Sequence, residues 1–79
     1  LEQSVPFAFH PNPAQDIMYV RVSDIKEVEV LEMFNLSGKK VLNFRSDIGQ
    51  VDLRRLPEGI YLIRSNSNLM RPQKIIISK

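Results

Sequence analysis

Apolar and polar residues alternate along this chain with period two, in short runs broken by clusters of proline, glycine, asparagine and serine. Period two sends successive side chains to opposite faces of an extended backbone, so each run predicts a β-strand. The best-defined run follows Gly59. Here Gly59, Tyr61, Ile63 and Ser65 fall on one face and Ile60, Leu62 and Arg64 on the other. Both faces are largely apolar, which predicts a central strand with neighbours packed around it. Pro57-Glu58-Gly59 supplies the turn that leads in. Pro57 fixes φ near about −65° at an early turn position, and Gly59 tolerates the positive φ that a branched residue does not.

The remaining runs follow in chain order. Residues 6–9 give a brief strand with Phe7 and Phe9 on one side. Residues 10–16 are a breaker cluster, in which Pro11 and Pro13 forbid a helix through Asn12. Residues 17–22 form the next strand, with Met18, Val20 and Val22 on one face and Ile17, Tyr19 and Arg21 on the other. Residues 23–26 turn the chain. Val28 and Val30 then share a face, but Leu31 and Met33 are out of phase with them. A β-bulge near Val30-Leu31 or burial on both sides accounts for the slip. Asn35-Leu36-Ser37-Gly38, with Gly38 in the left-handed position, connects to a strand at 39–44 and predicts a hairpin. Residues 45–49 read as a loop, 50–53 as a short strand and 65–68 as a polar turn. Residues 70–79 read as a closing strand, with Pro72 near its start and Ile75, Ile76 and Ile77 at its centre. No segment shows helical periodicity. About seven short strands with regularly spaced turn signals predict an all-β, antiparallel β-sandwich.

Composition narrows function more than fold. A chain of 79 residues holds one domain at most, and one of that size buries roughly 60% of its unfolded surface. Eleven basic residues interleave with nine acidic ones for a formal charge of +2. That is mild basicity without a phosphate-binding stripe, and it argues against nucleic acid as a partner. Cysteine is absent, which removes disulfide frameworks and thiolate metal sites. No uninterrupted apolar run exceeds four residues, so no membrane insertion is expected. No signal-peptide pattern opens the chain. The expectation is a cytoplasmic protein or a piece cut from the end of something longer.

Enzyme chemistry fails on inventory. His10 is the single histidine; it stands beside a proline-rich turn and reads as an exposed loop residue. No nucleophile elbow, phosphate loop, zinc spacing or calcium loop accompanies it. The acidic residues are scattered singly, as on a solvated face. Phe7, Phe9, Tyr19, Phe34, Phe44 and Tyr61 mostly fit inward positions, which argues for core packing over a ligand platform. The sequence therefore predicts no catalytic, cofactor-binding or metal site, and no cofactor.

Three stretches taken together resemble one family. The first is Phe9-His10-Pro11-Asn12-Pro13-Ala14 followed by a strand. The second is VLEMFNLSGKKV at 30–41, carrying Gly38, Lys39 and Val41. The third is LRRLPEGIYLIRS at 53–65, carrying Leu56, Gly59 and Tyr61, followed by Lys74, Ile75, Ile76, Ile77, Ser78 and Lys79. In this order, over residues 7–79, the chain resembles the type A C-terminal sorting domain of type IX secretion system cargo proteins of Bacteroidetes. The resemblance implies an immunoglobulin-like sandwich of about seven strands over residues 6–79, with residues 1–5 as a linker or tag remnant. It also implies an address signal that takes periplasmic cargo through the outer-membrane translocon to the cell surface or the medium. The implied partners are the translocon, its shuttle proteins and a sortase-like signal peptidase. That peptidase usually cuts upstream of the tag, here near or before residues 1–5, and attaches the cargo to anionic lipopolysaccharide. An accessory sandwich of a secreted enzyme, binding carbohydrate or acting as a spacer, is the alternative.

Physical roles can be assigned to the motif positions. Pro11 and Pro13 stiffen the entry to the strand at Ile17, and Gly38 and Gly59 permit tight turns. The closing strand is expected at a free sheet edge, where main-chain groups of Lys74 to Lys79 pair with a partner's strand. An unpaired terminal strand also leaves room for a domain-swapped dimer.

Overall fold

The computed structural model describes residues 7–22, 28–66 and 71–79. The linker expected at residues 1–5, the turn at 23–26 and the second half of the turn at 65–68 lie outside the described residues. Seven strands are present: β1 (Phe7–His10), β2 (Ile17–Val22), β3 (Val30–Asn35), β4 (Lys40–Arg45), β5 (Gln50–Asp52), β6 (Gly59–Ser65) and β7 (Gln73–Ile77). They form a three-stranded sheet, β1-β2-β5, and a four-stranded sheet, β4-β3-β6-β7. All strand pairs are antiparallel. The result is the expected β-sandwich.

Alternation builds the core. Phe7, Phe9, Met18, Val20 and Val51 point inward from the smaller sheet; Leu31, Met33, Phe44, Tyr61, Ile63, Ile75 and Ile77 do so from the larger, with Ala14 and Leu53 between strands. Phe9 and Phe44 meet across the layers edge to face, their centroids 6.5 Å apart, a favoured geometry for ring quadrupoles. Strand β6 is central, between β3 and β7. Its second apolar face is nevertheless uncovered, with Ile60 and Leu62 about two-fifths exposed.

Three expectations need correction. No bulge lies near Val30-Leu31. Leu31 and Met33 face the core while Val28 and Val30 are exposed, so the phase is continuous and the outward valines had mimicked an inward set. The register instead shifts between Met33 and Phe34, which pair with Leu42 and Lys40 and leave Val41 as the extra residue. Tyr19 is exposed, as is His10, the last residue of β1 rather than a loop residue. The two rings stack with centroids 5.5 Å apart. The third correction concerns the closing strand and belongs with its geometry below.

Candidate recognition site

The proline-rich segment joins β1 to β2 within the smaller sheet, and on the way it runs along β7 of the larger one and sets the surface there. Both of its prolyl bonds, His10-Pro11 and Asn12-Pro13, are cis. The Asn12 side chain lies against the outer edge of β7 and acts as a strand's peptide group would. Its Nδ2 donates to the Lys74 carbonyl at 3.1 Å, and its Oδ1 accepts from the Ile76 amide at 2.9 Å. Two residues on, Ala14 pairs with β7 in parallel: Ala14 N–H donates to the Ile76 carbonyl and Ser78 N–H to the Ala14 carbonyl, both at 2.8 Å. At the other end of β7, Gln73 Nε2 donates to the Phe7 carbonyl at 2.9 Å.

Strand β7 is thus the edge of its sheet, as expected, but the edge is not free. The Lys74 carbonyl, the Ile76 amide and carbonyl and the Ser78 amide are already bonded within the chain, so little of this edge's main chain is open to a partner's strand. The same contacts hold β7 within its own chain, so it is not the unpaired strand that left room for a swapped dimer. Ile75 and Ile77 are buried, Ile76 is half-buried and Lys74, Ser78 and Lys79 are exposed. Lys79 is tied down as well. Its Nζ donates to the Leu53 and Arg54 carbonyls, each at 3.2 Å, and its amide donates to Glu58 Oε1 at 3.3 Å.

The second motif is the β3–β4 hairpin. Asn35 Oδ1 accepts from the Ser37 and Lys39 amides, each at 3.0 Å, and Gly38 stands at φ +87°. An asparagine that bonds the backbone ahead of it and a glycine in left-handed space are the chemistry of a tight turn. Gly38 and Lys39 lie at the β4 end of the sheet, away from β7. The third motif is a corner. Tyr61 Oη donates to the Pro57 carbonyl four residues upstream at 2.6 Å, closing the turn that carries Leu56 and Gly59. The tyrosine corner of immunoglobulin-like sandwiches, at the start of the corresponding strand, has this form.

The sequence motifs therefore occupy three structural places. Pro11, Asn12 and Pro13 meet Lys74 to Lys79 along β7; Leu56, Gly59 and Tyr61 brace the corner next to Lys79; Gly38, Lys39 and Val41 shape the far hairpin. Ala14, Gln73 and Glu58 complete the site; Ala14 and Glu58 stand in the stretches read from sequence, but none of the three was assigned to a site there. Their bonds span 21 to 66 positions or run through backbone atoms, and periodicity carries no trace of such pairs. A shallow cleft of about 540 Å³ adjoins the β7 end, lined by Pro11, Pro13, Gln15, Asp16, Ile17, Tyr19 and Ser78. Among the described residues no three His, Asp or Glu groups gather as a metal site would require.

Exposed ion pairs decorate both sheets. Arg45 hydrogen-bonds Asp47 and Arg54 hydrogen-bonds Asp52 through paired contacts of 2.8–3.1 Å. The hydrogen bonds from Arg45 hold the Asp47 carboxyl below its ordinary value, and those from Arg54 hold Asp52 well below it.

No curated protein and no solved structure matches the chain. The model of the secretion system C-terminal sorting domain matches it over residues 8–78, which takes in all seven strands except the first residue of β1. The chain belongs to the family of type IX secretion C-terminal sorting domains, which mark cargo for export to the cell surface or the medium.

Proposed function

We propose that this sandwich is recognised, folded, by the translocon and its shuttle proteins, and that a sortase-like peptidase then removes it and joins the cargo to anionic lipopolysaccharide. The domain itself performs no reaction. The observation that carries this reading is the family match across residues 8–78. The part read by the machinery is the β7 tail, Lys74 to Lys79. Its support is exposure: Lys74 on β7 and Ser78 just after it are exposed along a segment whose backbone is largely held, and Lys79, also exposed, is fixed beside them by its bonds to the Leu53 and Arg54 carbonyls. Recognition of that surface runs through side chains, with Asn12 fixing their spacing.

Removing residues 75–79 is a poor test, because Ile75 and Ile77 are core residues and their loss dismantles the sheet. The better test fuses this chain to a periplasmic passenger and compares wild type with Lys74→Glu, alone and with Lys79→Ala, following surface display and passenger cleavage. Loss of display with the fold intact supports the tail as the signal; full display by both variants refutes it.

One observation favours a second reading, a glycan-binding accessory module. Tyr19 is exposed beside His10, at the margin of a cleft walled by two prolines. Under that reading the fusion stays where it is made, and soluble oligosaccharides shift the Tyr19 and His10 ring resonances.

A further inference from the structure

The outer face of the four-stranded sheet departs from what an antiparallel sheet usually shows to water, namely a polar surface. Register places Phe34 beside Leu62 and Ile60 beside Ile76, so four apolar side chains occupy two adjacent rows across β3, β6 and β7. Leu36, in the turn after β3, keeps the same two-residue phase and is 69% exposed. Cations edge the patch. Lys40 sits opposite Phe34 on β4, Lys74 opposite Leu62 on β7, and the Arg64 guanidinium lies 4.6 Å above the Phe34 ring.

The one carboxylate among these residues, Glu32, is already engaged by Lys40 at 3.2 Å and Arg64 at 3.7 Å. Three cations against one acid leave this face with an excess of two positive charges, equal to the formal charge of the whole chain. Exposed apolar groups ringed by one sign of charge mark a contact surface.

We propose that this face docks a protein of the export machinery through an apolar surface bordered by carboxylates. The inference rests on the family reading above and adds a second contact surface to the β7 tail. Geometry favours a protein over a lipid surface. Ile60 and Leu62 lie within a strand and are some three-fifths covered by their neighbours, so they protrude little from the sheet, and among the described residues no amphipathic helix stands out to enter an acyl layer.

The test uses the chain fused to a periplasmic passenger in a bacterium with the secretion system. Variants are Ile60→Ser with Leu62→Ser, and Lys40→Gln with Arg64→Gln. The control is Ile17→Ser on the other sheet. Circular dichroism of each 79-residue variant reports the fold. The expected result is a display loss of at least tenfold for the apolar pair, a smaller loss for the charge pair and none for the control. Wild-type display by a folded apolar pair overturns the inference. If the apolar pair unfolds, the charge pair decides: reduced display supports the inference and full display overturns it. Failure of the wild-type fusion to reach the surface overturns the family reading for this chain, and the inference with it. Sedimentation and phosphatidylglycerol vesicles complete the design. Dimers, or vesicle binding, lost in the apolar pair would assign the face to a second copy or to lipid, and overturn the protein partner.

Discussion

Replacing Asn12 by alanine isolates the contact that joins the two ends of the fold. The substitution deletes the bond to the Lys74 carbonyl and the bond from the Ile76 amide and touches no core residue. An intramolecular hydrogen bond contributes about 0.5–1.5 kcal/mol net, and the full desolvation penalty of an orphaned group arises only where water is excluded. Both bonds are exposed, so water takes the place of the lost partner and the lower half of the range applies. The expected cost is about 1–2 kcal/mol. For a domain of 60–100 residues each kcal/mol moves Tm by about 4–8 °C, which gives a fall of about 4–16 °C. Equilibrium denaturation measures the cost. Amide exchange locates it: Ile76 N–H loses protection, whereas Ile75 and Ile77, whose amides the alternation directs at β6, hold theirs until global unfolding. A variant within about 0.3 kcal/mol of wild type, with Ile76 still protected, would refute the assignment of Asn12 as a surrogate strand.

Other parts of the fold make independent predictions. Tyr61→Phe removes the bond to the Pro57 carbonyl and lowers stability by about 1 kcal/mol, read as a reduced urea midpoint with an unchanged slope. Gly38→Ala meets no neighbouring atom, but its φ of +87° remains, so the expected loss is about 1–2 kcal/mol of left-handed strain, while Gly38→Asn loses less. Leu53→Ala empties a fully buried site and costs about 2–5 kcal/mol; thermal melts of this variant start below those of every surface variant. The carboxyls of Asp47 and Asp52 are lowered in the folded state by Arg45 and Arg54. Their contribution is therefore present above the ordinary carboxylate pKa and fades as pH falls through the lowered values. Both pairs are exposed, so the effect is small; Asp52→Asn flattens part of the acid limb of Tm against pH.

Much of this fold was legible in its alternation. The strand at Ile17–Val22 has the bounds that its pattern gives, and Tyr61, Ile63, Ile75 and Ile77 reach the core from the positions their phase assigns. The turn at Gly38 followed from its chemistry. What alternation does not contain is which of two apolar faces another layer covers. Val28 and Val30 had as good a claim to the core as Leu31 and Met33, and only the packing partner decides. Ile60 and Leu62 pose the same ambiguity in reverse. Asn12 was legible as a helix breaker and as a motif residue, yet its bonding was not. Its partners stand 62 and 64 positions away, and one side chain replacing a strand leaves no periodic signal.

The bonding of Asn12 and Ala14 to Lys74, Ile76 and Ser78 also sets an order of assembly. During synthesis the leading portion of the sandwich emerges first and waits, its hydrophobic interior open, until the trailing ribbon arrives to close it. Closure across so long a loop is slow by the standards of helical proteins. A polypeptide interrupted before Gln73 would present bare aliphatic surface and the unguarded flank of β6 to proteases and chaperones. The packing of β7 thus decides whether the rest of the sandwich has a closed interior.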